Sequence, residues 1–203
     1  DEQDDALVRL EDKRFFQHGG FDVFAIARAA MTNAWHQRIV SGASTITMQL
    51  VRMREPRPRT LRSKLVEMFR ARQLEVRFDK RTILERYLEY VPLGRNIEGV
   101  EAGALAYFGH RASALSAAEI ATFLAVPQNP KARAPSAKNA SRLERARRAI
   151  ATRLVQAGIL LDRAHQAPDA MLVEIDSTPV PVSLRQVPRK APHAARWILD
   201  STL

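Results

Sequence analysis

A mainly α-helical fold is predicted from three observations. Apolar residues recur at helical steps along nearly the whole chain, strand-like alternation is almost absent before a Pro-punctuated tail, and helix-start signals precede most of the periodic stretches. Asp22 reads as the N-cap of a helix in which Val23, Ile26, Ala27, Ala30, Met31, Ala34 and Trp35 share one face. Thr60 opens a second helix with a stripe of Leu61, Leu65, Met68 and Phe69. Asp79 opens a third, with Ile83, Leu84, Tyr87, Leu88 and Val91, stopped by Pro92 and Gly94. Another runs through Ile97, Val100, Ala104, Leu105 and Phe108 to Gly109, a natural C-terminal stop. Ser116 with Glu119 and Ser141 with Glu144 spell capping boxes for two more, ending at Pro127 and Gly158. From Ile175 onwards Pro179, Pro181, Pro188 and Pro192 divide short Val-containing pieces, read as a linker or edge strand, with a last helix expected near 194–199.

With 203 residues, 46% of them hydrophobic, the chain can bury one good core and divide it into two lobes. Lys and Arg number 32 against 22 Asp and Glu, a net charge of +10 that favours anionic partners: nucleic acid, acidic membrane or a phosphorylated substrate. The absence of cysteine excludes disulfides and thiolate metal sites. No apolar run approaches the roughly 18 residues of a membrane span, and the acidic residues 1–5 resemble no signal peptide.

Four stretches carry candidate chemistry. In the first, Glu11 and Asp12 lie beside Lys13, Arg14, Phe15, Phe16, His18 and a Gly19-Gly20 turn; a Glu buried against an aromatic is a candidate general base, while a solvated helix end is the ordinary reading. In the second, residues 42–50, Ser44, Thr45, Thr47 and Gln49 offer hydroxyls and an amide to sugar or phosphate oxygens, although a Ser/Thr helix cap explains the same letters. A basic run follows, Arg52, Arg54, Arg57, Arg59, Arg62 and Lys64, suited to a diphosphate, acidic lipid or nucleic acid. Lys64 and Glu67, three residues apart, share a helix face, as a surface ion pair or as phosphate clamp and second carboxylate.

In order and wording these stretches resemble the signature motifs of family 51 glycosyltransferases, the peptidoglycan polymerases. Glu11-Asp-x-x-Phe15-x-x-His18-x-Gly20 is similar to the first, Gly42-x-Ser44-Thr45-Ile46-Thr47-x-Gln49-Leu50 to the second and Lys64-x-x-Glu67 to the third. Lys80-x-x-Ile83-Leu84-Glu85-x-Tyr87-Leu88 resembles the fourth, and Leu115-Ser116-x-x-Glu119 through Leu124-Ala125-x-Pro127 the fifth. The wording around Met48 is most similar to the 1C subgroup of class A penicillin-binding proteins. Ser63, Glu89 and Met48 depart from the family's usual Arg, Asn and Gln.

The resemblance implies a lysozyme-like fold with a large head lobe and a smaller jaw at about 40–75, within a glycosyltransferase domain spanning 1–175. Residues 176–203 would lead towards a transpeptidase, since the chain contains no Ser-x-x-Lys and no Lys-Thr-Gly. It implies polymerisation of lipid II onto a lipid-linked glycan strand, with inversion and release of polyprenyl diphosphate. Glu11 would be the general base and Glu67 the second catalytic carboxylate. Asp12, His18, Ser44, Thr45, Gln49, Arg52, Arg62 and Lys64 would bind substrate or its diphosphate. Mg²⁺ or Mn²⁺ would bridge phosphate oxygens with Asp12 or Glu67 as protein ligand. The expected place is the extracytoplasmic face of the inner membrane, anchored by an N-terminal helix outside this sequence, with no nucleic-acid partner. The rivals are a lysozyme-like hydrolase or lytic transglycosylase, which has no diphosphate to neutralise; a basic nucleic-acid-binding module, supported by charge alone; and a catalytically weakened polymerase kept as a scaffold.

Overall fold

The computed structural model describes residues 2–36, 43–58, 60–159 and 168–185. Gly42, Arg59 and the helix expected near 194–199 lie outside that set. Helices α1 (Glu2–Glu11), α2 (Val23–His36), α3 (Ile46–Arg54), α4 (Leu61–Arg77) and α5 (Lys80–Tyr90) are followed by α6 (Val100–Gly103), which continues as a π-helical turn, Ala104–Phe108. Then come α7 (Ala117–Ala125), the single turn α8 (Pro130–Arg133), α9 (Ala140–Gln156) and α10 (Pro168–Ser177). Among the described residues the only β pairing is one bridge between Pro92 and Glu98. The mainly α expectation holds.

The caps act where local chemistry places them. Asp22, Thr60, Asp79 and Ser116 accept from the backbone N–H of Ala25, Ser63, Thr82 and Glu119 respectively, and Glu119 returns the bond to Ser116 N–H. Ser141 does not cap: a 3₁₀ turn at Ala137–Asn139 runs directly into α9, so Ser141 already lies in its first turn. Ile97 likewise precedes its helix, which starts only after Gly99 in a left-handed conformation.

Helix α7 is the axis of the core, with every residue from Ala118 to Ala125 buried except Glu119. α9 and α10 pack beside it, and α1 lies against α9. Packing continues past the boundary expected after residue 175. α10 runs to Ser177, Val180 joins the core and the Arg185 N–H donates to Ala106 O at 2.8 Å. A smaller apolar cluster, Met48, Val51 and Ala71 with Phe21, Met68 and Leu74 against it, lies on the other side of α3. The apolar stripe of α2 faces neither cluster, and of the α4 stripe only Met68 reaches the smaller one. Phe24 (74% exposed), Trp35 (86%) and Leu61 (87%) stand in solvent with Val23, Met31, Leu65 and Phe69. Periodicity shows that a helix has an apolar face, and it does not supply the partner that covers it.

The loop between α1 and α2 rests on α4 through Gly20. At φ +101° this residue sits where a Cβ would lie 2.7 Å from the backbone of Ala71 and Arg72. Gly20→Ala therefore combines a strained left-handed backbone with an overlap that neither helix nor loop can relieve. It is expected to cost at least about 2 kcal/mol, read as a lowered urea midpoint at unchanged slope.

Candidate active site

The site is assembled on the N-terminal half of α3. Asp12, the first residue beyond α1, is buried, and its Oδ2 accepts from the N–H of Ile46 at 3.1 Å, filling one of the unpaired amides that open a helix. Both Asp12 oxygens lie 3.0 Å from His18 Nε2. A carboxylate only accepts, so Nε2 carries the proton, and the buried Nδ1 has no hydrogen-bond partner. Thr45, the N-cap, accepts from Met48 N–H at 3.1 Å and donates to Gly20 O at 2.6 Å. Asp12, His18 and Thr45, all expected to touch substrate, are thus joined within the protein, where they fasten the loop after α1 to the start of α3.

Glu11 ends α1 with both oxygens engaged. Gln49 Nε2 donates to Oε2 at 3.0 Å and Gln128 Nε2 to Oε1 at 3.1 Å. Behind Gln49, the Tyr87 hydroxyl donates to its Oε1 at 3.4 Å. Burial pushes Tyr87 above the ordinary phenol range, the Glu11 charge adds to this and the Arg52 charge opposes it, so a single buried hydroxyl is close enough to feel both groups.

One turn along α3 from Gln49, Arg52 Nη1 lies 3.7 Å from Glu67 Oε2, and Lys64 Nζ lies 3.8 Å from the same oxygen. Lys64 also donates to Ser44 Oγ. Glu67 is 5% exposed and its Oε2 has no hydrogen bond, so two cations attend one buried carboxylate at ion-pair range. Burial lowers the Lys64 pKa, the neighbouring Glu67 charge raises it and that of Arg52 lowers it again. Arg62 is not part of this group. It is exposed on the first turn of α4, two residues before Lys64 and off the Lys64–Glu67 face.

Glu11, Asp12, Ser44 and Thr45 line a cavity of about 420 Å³, into which Arg14, Arg28 and Arg153 also face. Gln49 and Arg52 line a second, of about 340 Å³, closed on one side by Pro127 and Pro130. The Glu11–Gln49 hydrogen bond joins the two. None of the three departures from the family wording is seen in these contacts. Met48 is buried in the small apolar cluster, Ser63 lies in the Thr60 cap, and Glu89 pairs with Arg86 at 2.6 Å on the surface.

Sequence reasoning missed several contributors. Gln128 carried no local signal beyond its place after Pro127. Glu75 is buried on α4 and accepts from Thr47 Oγ1 at 2.5 Å and Lys80 Nζ at 2.7 Å, while Lys80 stands 4.3 Å over the Phe15 ring, tying α3, α4 and α5 to the loop that holds His18. Arg14 pairs with Asp22 through Nε at 2.8 Å and through Nη2.

Within this α-rich fold, α3 thus carries the partner of the Glu11 carboxylate and, one turn on, one of two part-exposed cations around the buried Glu67. The family model for Transglycosylase matches residues 1–155, and the chain belongs to that family. It is similar to Penicillin-binding protein 1C of Escherichia coli (strain K12), 34% identical over 98% of this chain and 25% of that protein. It is also similar to Penicillin-binding protein 1A of Aquifex aeolicus (strain VF5), 44% identical over 62% of this chain and 17% of that protein. The chain thus spans a quarter or less of the length of these relatives. In the crystal structure of Penicillin-Binding Protein 1A from Haemophilus influenzae, 19% of that chain matches 77% of this one at 17% identity and a TM-score of 0.39, a likeness too loose to bear on the site.

The Arg14 hydrogen bond, with the cap to Ala25, holds Asp22 down to about 2 from an ordinary 3.8. Because the folded value is depressed, the stabilisation is complete above about pH 4 and is lost as pH falls towards 2. Asn keeps the capping role but cannot titrate. The melting temperature of Asp22→Asn is therefore expected to fall less steeply than that of the parent between pH 4 and 2, measured by circular dichroism.

Proposed function

We propose that this domain polymerises lipid II, adding disaccharide units to a lipid-linked glycan strand with inversion. The observation that carries the reading is the placement, on successive turns of α3, of Gln49, which holds the Glu11 carboxylate, and of Arg52, which joins Lys64 around Glu67. Glu11 takes the proton of the acceptor 4-hydroxyl as its oxygen attacks the donor anomeric carbon. The bond from that carbon to the diphosphate oxygen breaks, and its electron pair leaves with the polyprenyl diphosphate. Arg52 and Lys64 meet the charge that develops there, and the buried Glu67 keeps these two part-exposed cations together. A hydrolase has no such leaving group, which sets this site apart from the lysozyme-like rival.

The metal assignment fits poorly. Asp12 is committed to His18 and Ile46, the free oxygen of Glu67 faces two cations, and among the described residues no group of three His, Asp or Glu side chains converges. Mg²⁺ or Mn²⁺ is proposed only as an ion carried on the diphosphate oxygens, and no step above depends on it.

We also assign the domain to the outer face of the inner membrane, in a longer protein that continues into a transpeptidase. No described helix is long and apolar enough to cross a bilayer. The uncovered apolar residues of α2 and α4, Trp35, Leu65 and Phe69 among them, and the exposed Arg54, Arg57 and Arg62 support contact with its surface.

Incubated with lipid II in detergent, the protein is expected to form polymer and release polyprenyl diphosphate. Glu11→Gln should lower the rate about 10²–10⁴-fold. Lys64→Met should lower it by a factor of about 10². Polymerisation by Glu11→Gln at the parental rate removes Glu11 as the base, and no product from the parent removes the reading. In co-sedimentation with anionic vesicles, the double variant Leu65→Ser/Phe69→Ser should lose most of the binding that the parent shows, with its helix content unchanged.

A further inference from the structure

Glu11 must present one lone pair to an incoming hydroxyl, yet the terminal torsion of a glutamate is broad and fixes no plane by itself. Two donors approach it from different elements: Gln49 from α3 onto Oε2, Gln128 from the loop between α7 and α8 onto Oε1. Each oxygen offers two acceptor directions, so one on each remains for substrate once the carboxamides are in place. A single donor would leave the carboxylate free to rock about that bond, whereas two define its plane.

The second carboxamide is itself held. Arg133 Nη1 donates to Gln128 Oε1 at 3.0 Å and to the backbone oxygen of Ala125 at 3.1 Å. A guanidinium has no acceptor, so it forces the amide to turn its oxygen towards Arg133 and its N–H₂ towards Glu11. The bracket is short and stiff: Pro127 precedes Gln128, Asn129 caps α8 by accepting from Ala132 N–H at 3.3 Å, and Pro130 opens that turn, which ends on Arg133. Gln49 is oriented in the same way by the Tyr87 hydroxyl on the opposite side.

We propose that Gln128, oriented by Arg133, is a positioning residue that sets the plane of the Glu11 carboxylate for proton abstraction. This rests on the polymerase reading and adds to it a residue pair outside the stretches that identified the site. Gln128 is exposed at the mouth of the cleft, between prolines that line the Arg52 cavity, so its removal should disturb geometry and leave the fold intact.

The test uses steady-state polymerisation of lipid II together with side-chain amide NMR. Gln128→Leu is expected to lower kcat about tenfold with KM unchanged and the melting temperature within a degree of the parent. Arg133→Met should lower kcat about threefold, and Arg133→Lys should recover most of that loss. In the Glu11→Gln background, Gln128→Leu should cause no further loss, because there is no carboxylate left to aim. Independently of turnover, the Gln128 side-chain amide resonances should move on Glu11→Gln. Unmoved resonances, a changed KM at constant kcat, or equal losses in both backgrounds overturn the proposal. Absence of polymer from the parent overturns the polymerase reading instead, and the resonances still report whether Gln128 holds Glu11.

Discussion

Asp12 is a carboxylate almost out of water, and an unpaired charge there would cost several kcal/mol. Its solution is to share itself between the His18 imidazole and the first amide of α3, where the helix dipole also favours negative charge. The loop from α1 to α2 therefore cannot leave α3 without exposing an unsatisfied ion and an unsatisfied amide together. Glu11 is the residue next to this anchor, so its position over Gln49 follows from a backbone constraint one residue away. Thr45 and Gly20 repeat the attachment from the other end of the loop.

The cation cluster works on the opposite principle. Arg52 and Lys64 crowd one buried oxygen without a direct hydrogen bond to it, and burial lowers the Lys64 pKa while the Glu67 charge raises it. Such an arrangement contributes little to stability on its own, because desolvation offsets the attraction. An anionic group entering the cleft would supply the missing negative charge. The Asp12 carboxylate is thus satisfied on both oxygens, where rigidity matters, while the group around Glu67 is left incomplete, where a ligand is expected to complete it.

What was legible in the sequence was what depends on near neighbours. Asp22, Thr60, Asp79 and Ser116 announce helix starts because a cap and its amide lie within three residues. Ser141 misled because the preceding 3₁₀ turn, fixed by Asn139 packing against the backbone oxygens of Lys131 and Ala134, moves the helix start upstream. The α2 stripe is legible as a shared apolar face, but its exposure is not, since burial depends on what else the fold brings near. Lys64 and Glu67 were legible as a pair through helical spacing, while Gln128 meets Glu11 across 117 positions and has no local signature. Arg62 was placed with the diphosphate by charge alone, and helical phase points it elsewhere.

Helix α3 explains why these features occur together. Its nine residues serve three surroundings: Ile46 and Leu50 enter the large core, Met48 and Val51 the small cluster, and Gln49 and Arg52 the cleft. At about 100° per residue these demands occupy nearly the whole circumference, so rotating the helix to improve one contact degrades the other two. Gln49, the partner of Glu11, and Arg52 are consequently set by the packing of two hydrophobic clusters on either side. Met48 belongs to that packing, and this is why an apolar side chain can stand within a polar-looking stretch without removing a contact from the cleft.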